Sequence, residues 1–398
     1  MKTKLSVRLL AGLLVITAAA CRDTPTGTGP ADLGDTADAA VSSDDLAGST
    51  TDLAAADLAG ASPDMVPAAD PTEFLVVRVG DGAAMLSSDA TPVFVERRKI
   101  ADGAMVGTPI ALPTAVNGTS RRLTLSGTAL SEGALSRSAN GAYALLAGYD
   151  ATVGIPNISA TSPTTYNRVI GRIAANNSVD TTTAFDGLGT GSIRGAASTD
   201  GKALWASGTN GIVYTTFGST AAPTTLAGTN ARVLGLFSGQ LYASSGSANV
   251  TGVNTVGNGA PTAAGATVTL LPGFSAQSNL SPYGFIAFDR DATPGIDTLY
   301  VADDRTTGGG LQRWRLVGTT WTLDGSFVES AGSGARAVTG YVSGSSVVLL
   351  VVVPEAGLKT ARIVSFVDTG QNPSTATAKL LATANANTVY RGLCLAPQ

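Results

Sequence analysis

Arg194-Gly195-Ala196-Ala197-Ser198 is followed by Asp200-Gly201, by Ala203-Leu204-Trp205-Ala206, and by Asn210-Gly211 ahead of the run Gly211–Phe217. Small or apolar residues fill the first run. The second and third are apolar and aromatic, and an Asx-Gly pair stands before each. Asx-Gly suits the type I′ hairpin turn, in which both central residues need positive φ. The stretch therefore reads as consecutive short antiparallel strands.

The same phrase recurs along the chain. Glu132-Gly133-Ala134-Leu135-Ser136 leads through Asn140-Gly141 to Ala142–Ala147. Leu234-Gly235-Leu236-Phe237 leads to Leu241–Ser244, Tyr283-Gly284-Phe285-Ile286 to Leu299–Ala302, and Thr339-Gly340-Tyr341-Val342 to Val347–Val353. Arg391-Gly392-Leu393-Cys394-Leu395 closes the sequence. The six marker glycines, residues 133, 195, 235, 284, 340 and 392, lie 62, 40, 49, 56 and 52 apart. Repeats of roughly 40–50 residues with four strands each are the signature of propeller blades. One such sheet cannot bury both faces, so blades stack in a ring around a channel. The expectation is an all-β chain, a β-propeller of six or seven blades. In it the C-terminal strand Val389–Ala396 completes a blade begun by Phe74–Val79. A β-sandwich pair or a β-solenoid is the competing reading. Further turn signals are Asp81-Gly82, Asp102-Gly103 and Asp324-Gly325. After Phe74 there are four Glu and four Lys, so surface helix formers are scarce.

The N-terminus belongs to another part of the protein. Lys2, Lys4 and Arg8 precede an apolar run, Leu9–Ala20, too short to span a bilayer and placed as a secretory signal. Its end, Ala18-Ala19-Ala20-Cys21, resembles a bacterial lipobox, which implies a lipidated Cys21 as first mature residue. Arg22, where an inner-membrane lipoprotein carries Asp, points to the outer membrane. From Arg22 to Thr72, Asp-Leu pairs recur among Ala, Gly, Ser, Thr and Pro, and no aromatic residue occurs. Little apolar surface and many like charges predict a disordered, extended tether. The expected organisation is a signal at 1–20, lipidated Cys21 and tether at 21–72, and the propeller at 73–398.

Charge divides the same way. Residues 22–73 carry ten Asp and one Glu against Arg22; beyond them stand 18 acidic and 21 basic residues. A net of +3 over so long a domain is no footprint for nucleic acid. With Cys21 lipidated, Cys394 has no disulfide partner, and it reads as a small buried hydrophobe in a strand.

The chain contains no histidine. Triads, His-paired cysteine nucleophiles and His-containing zinc sites are therefore excluded. Glu96, Glu132, Glu329 and Glu355 are scattered, in no catalytic motif. Gly187-Leu188-Gly189-Thr190-Gly191 lacks the Lys-Ser/Thr and the helix that a phosphate loop needs, so it reads as a turn. Gln312-Arg313-Trp314-Arg315 and Trp321 read as packing, with sugar stacking as the functional alternative. The candidate metal residues are Asp289, Asp291, Thr293 and Asp297, whose oxygens alternate around Gly295 as in a calcium loop, although the glycine falls one place late for an EF-hand and Arg290 opposes the charge. A polar turn is the plainer reading, so no cofactor is expected and calcium is the one candidate.

Phe74–Gly82, Ser281–Phe285, Asp297–Asp304 and Tyr390–Leu393 resemble a family of secreted bacterial β-propeller-like cell-surface proteins. The likeness covers roughly Phe74 to Pro397. It implies the fold and a place on the cell envelope, and no catalytic residue carries over. The expected function is a non-enzymatic binding or scaffold module, a monomer held to the membrane through Cys21, with an envelope protein or glycan as ligand. The alternative is an extracytoplasmic enzyme acting on sugars or lactones, with calcium. An enzyme should gather several carboxylates and arginines at one mouth of the channel.

Overall fold

Every marker glycine but Gly133 falls inside the first strand of a four-stranded sheet, and Gly133 falls two residues ahead of one. In the computed structural model, which describes residues 69–354 and 361–398, six such sheets form a six-bladed β-propeller. The inner strands of blades 1 to 6 are Leu135–Arg137, Ile193–Ser198, Leu234–Phe237, Pro282–Phe288, Ala337–Ser343 and Val389–Leu395. Each blade then runs outward as an antiparallel meander, as in blade 2, Ile193–Ser198, Ala203–Gly208, Gly211–Thr216 and Thr224–Ala227. No α-helix occurs among the described residues, only three-residue 3₁₀ turns.

The ring closes as the sequence suggests. Val389–Leu395 pairs with Glu73–Val79, Phe74 opposite Leu395 and Val79 opposite Val389. Val93–Lys99 and Ile110–Ala111 complete this sixth blade. Phe74, Leu75 and Val76 are fully buried with Leu393, Cys394 and Leu395, in one cluster with Leu146 of blade 1 and Leu350 of blade 5. Cys394 is a free buried thiol, and desolvation pushes its pKa up to about 12, the wrong direction for a nucleophile.

Between blades the sheets meet face to face through apolar side chains. Leu145, Ile170 and Phe185 of blade 1 pack on Ile193, Leu204 and Val213 of blade 2. Tyr300 and Phe327 of blade 4 pack on Leu349 and Phe366 of blade 5. Near the axis the blades approach too closely for side chains. A Cβ on Gly392 would lie 2.2 Å from the Leu135 nitrogen, and one on Gly284 2.8 Å from the Ala337 Cα. Glycine permits the backbone bonds made there, Gly392 N–H to the Gly133 carbonyl and Gly284 N–H to that of Arg336.

The turns fall between strands with one exception, but not as type I′, since only the glycine of each Asx-Gly pair has positive φ. Asn140-Gly141 and Asp200-Gly201 join first and second strands, and Asn210-Gly211 second and third. Asp324-Gly325 instead lies inside the strand Thr320–Phe327, where Arg313 faces Gly325 and Trp314 faces Leu323. It is a β-bulge, and Gly325 supplies the positive φ of 122°. Signal peptide, Cys21, nearly all of the tether and Glu355 lie outside the described residues.

Candidate functional site

The inner strands all run the same way, so their N-terminal ends meet at one mouth of the channel. Each blade sends one large side chain there: Glu132, Arg194, Arg232, Tyr283, Arg336 and Arg391. Neighbouring blades are tied together here by backbone and side-chain bonds. The Ala134 N–H donates to the Arg194 carbonyl, and Arg232 Nη1 donates to the Pro282 carbonyl. Tyr283 lies between two guanidinium groups, 4.0 Å from Arg232 and 4.4 Å from Arg336, in cation–π geometry.

The connection that enters blade 1 folds over this mouth. Arg391 donates to the carbonyls of Ser126, Gly127 and Ala129, and Arg336 donates to that of Leu130. Glu132 holds the same connection from within. Its Oε2 accepts the Ser126 N–H at 3.0 Å, and its Oε1 accepts the Tyr149 hydroxyl.

Electrostatically the mouth is unbalanced. Burial raises the pKa of Glu132, against the lowering pull of the Tyr149 hydroxyl, the Ser126 amide and Arg391. Burial also raises Tyr149, helped by the Glu132 charge. Burial pushes Arg194 and Arg391 down, and Arg336 adds repulsion at Arg391. Guanidinium groups nonetheless keep their charge in proteins. Among the described residues Asp304, 2.5 Å from Arg336, makes the ring's one carboxylate ion pair. Arg336 and Arg391 are 7 % and 2 % exposed, and the Nε atoms of Arg194, Arg336 and Arg391 are shielded from solvent with no hydrogen-bond partner.

Below the ring lies a cavity of 230 Å³ that runs the length of the inner strands. Leu135, Leu234, Phe285, Val338 and Leu393 line it, and Tyr283, Arg336, Arg391 and Glu132 close its upper end. Cys394 also borders it.

Three of the four sequence-predicted metal residues come together elsewhere, in the loop between the first two strands of blade 4. Ligand oxygens of Asp289, Asp291 and Asp297 lie within 4.8 Å of one another. The loop is braced by its own amides: Arg290 and Asp291 N–H to Asp297 Oδ2, both 2.7 Å, Gly295 N–H to Asp289, and Thr293 N–H to Asp291. The Arg290 guanidinium makes no ion pair with these carboxylates among the described residues and donates instead to the carbonyls of Ser345 and Ser346 on blade 5. Asp303 pairs with Arg305 and Asp304 with Arg336, so neither joins the loop.

Other candidates resolve into structure. Trp314 is fully buried and stacked on Phe274 at 4.0 Å, and Trp321 is 5 % exposed, so sugar stacking on these rings is overturned. The glycine-rich turn offers carbonyls, those of Gly189 and Gly191, to the buried Arg168. That polarity is the opposite of a phosphate cradle. Glu96 is held by Arg78, Arg98 and Tyr390, and Glu329 by Arg362.

Reading the sequence missed the ring. Its signal is nonetheless present: the residues just ahead of four markers are Glu132, Arg194, Tyr283 and Arg391, and Arg232 and Arg336 stand just ahead of the other two inner strands.

No family model matches the chain, and no curated protein matches it. The solved structures to which it is similar are bacterial β-propeller-like proteins. One is a protein from Bacteroides fragilis described as a "putative 6-phosphogluconolactonase", at 10% identity over 81% of this chain and 83% of that one, TM-score 0.44. A protein of the same description from Bacteroides uniformis has 11% identity over 78% and 82%, TM-score 0.42. The extracellular domain of a "putative hybrid two component system" from B. thetaiotaomicron has 13% identity over 79% and 33%, TM-score 0.37.

Proposed function

We propose that this chain is a cell-envelope lipoprotein, anchored through Cys21, that takes a ligand in the central channel of its propeller. The carrying observation is the channel itself, a largely apolar cavity closed at one end by Arg336 and Arg391. The mouth gathers arginines but a single glutamate, and both oxygens of Glu132 already hold the connection above it. That arrangement suits holding a ligand better than paired-carboxylate hydrolysis, which needs two carboxyl groups free to act. An enzyme acting on sugars or lactones is the second reading, favoured by the raised pKa of Glu132, which suits a proton donor.

Two measurements test this. Cells fed alkyne-palmitate are expected to label the wild type and not Cys21→Ala. The protein, carried with its envelope lipids into polymer nanodiscs, is expected to show a bound small molecule by native mass spectrometry. Leu236→Trp, which grows a half-exposed channel-lining side chain, should remove it. An adduct unaffected by Leu236→Trp, or no adduct in the wild type, overturns the binding reading. Lactone turnover abolished by Glu132→Gln establishes the second.

A further inference from the structure

Resting on the channel-binding reading, we propose that the ligand is an amphiphilic anion, a small carboxylate or phosphate head on an apolar body. The head lies against Arg336 and Arg391, and the body lies along Leu135, Leu234, Phe285, Val338 and Leu393.

Three independent observations meet here. The first is charge. Four guanidinium groups share the mouth with Asp304 and with Glu132, whose burial favours its neutral form. Buried charge left uncompensated is costly, and an arriving anion relieves that cost. The second is unspent hydrogen-bonding capacity. A guanidinium has five N–H donors. Arg391 places three hydrogen bonds on backbone carbonyls, and Arg336 places one on Leu130 and one on Asp304. That leaves one N–H on Arg391 Nη1 and one on each Nη of Arg336, while the Nε atoms are shielded and face no open space. The fork geometry of the group matches carboxylate and phosphate oxygens. The third is the shape and chemistry of the wall. A cavity of 230 Å³ holds about eight water volumes at ~30 Å³ each, the bulk of a short acyl chain rather than of a polysaccharide. Its wall is mostly apolar, with Ser136, Ser198, Thr339 and Arg137 among its polar members, so a free inorganic anion would leave the apolar part of it unfilled. Tyr283, clamped between Arg232 and Arg336, holds two of the cations in place.

The test is calorimetric titration of the full chain in nanodiscs with octanoate, octyl phosphate, 1-octanol, octylamine and inorganic phosphate. Partitioning into lipid is subtracted with the Leu236→Trp protein in identical discs. Octanoate or octyl phosphate is expected to bind at least about tenfold more tightly than 1-octanol, the scale of a hydrogen bond to a charged group. Octylamine is expected not to bind. Which of the two anions binds better identifies the head as carboxylate or phosphate, and inorganic phosphate binding as tightly as octyl phosphate would remove the apolar body from the proposal. Added salt should weaken the anions and leave 1-octanol unchanged. Arg336→Gln should lose the preference for the anions. Arg232→Gln, which leaves the Leu130 and Asp304 bonds of Arg336 in place, serves as the second variant should Arg336→Gln fail to fold. Equal binding of octanoate and octanol, or no binding by any probe, overturns the inference. A native adduct that proves neutral or cationic overturns it too, while leaving the channel-binding reading intact.

Discussion

Glu132 is the residue on which the mouth turns. It is 2 % exposed, yet it is a carboxyl among arginines. Desolvation outweighs the pull of the groups around it, and its pKa stands above the ordinary 4.5. Well below pH 4.5 the proton is bound in folded and unfolded states alike, and the folded state carries no charging cost. As pH rises through the folded pKa, the folded state must charge a buried group that the unfolded state charges freely, and stability falls. Comparison with Glu132→Gln isolates this term. The wild-type melting temperature minus that of the variant is expected to be largest below pH 4.5 and to shrink as pH rises toward neutrality. A difference that grows with pH would mean that the arginines, not desolvation, govern this carboxyl. Asp368 behaves oppositely: burial pushes it up, but bonds from Arg313, Tyr300 and the Gly370 amide outweigh burial and hold its pKa below the usual value. It appears in both proteins and cancels in the comparison.

At the scale of an element, the loop between the first two strands of blade 4 carries the clearest expectation. Asp289 and Asp291 are exposed, Asp297 is half-buried, and their oxygens converge although their charges repel. Arg290, the one cation within the loop, is turned onto blade 5. A divalent cation with a preference for six to eight oxygens would relieve that repulsion. Calcium is therefore expected to raise the melting temperature, and at about a hundred times Kd the stabilisation is about 2.7 kcal/mol. The rise should vanish in chelator and in Asp289→Ala and Asp291→Ala. A rise that survives both substitutions places the metal elsewhere, and no rise makes the loop a polar turn.

At the scale of the whole molecule, the closing blade joins the two ends of the described chain. Phe74 is fully buried at that seam, so Phe74→Ala is expected to cost about 3–5 kcal/mol. Removing Val389–Gln398 should abolish cooperative unfolding, because the inner strand of blade 6 would be lost and blades 5 and 1 would face each other across a gap. A truncated chain that still melts in one sharp transition would contradict closure. The strand Glu73–Val79 runs antiparallel to the inner strands, so the chain enters the ring at the end opposite the arginines. There the Ser343 hydroxyl meets Asp70 and the Ala396 amide meets the Glu73 carbonyl. By itself the sequence determined the all-β class, a repeat that allows six or seven blades, the seam between Phe74–Val79 and Val389–Ala396, and the buried fate of Cys394. Those depend on local alternation, on turn chemistry and on a count of markers. Tertiary structure alone decided that Asp324-Gly325 is a bulge, that Trp314 and Trp321 are core, and that Glu132, Arg194, Arg232, Tyr283, Arg336 and Arg391 share one mouth. The physical reason is separation: these six residues span some 260 positions of the chain and interact only because a ring of parallel inner strands brings the same end of every blade to one axis.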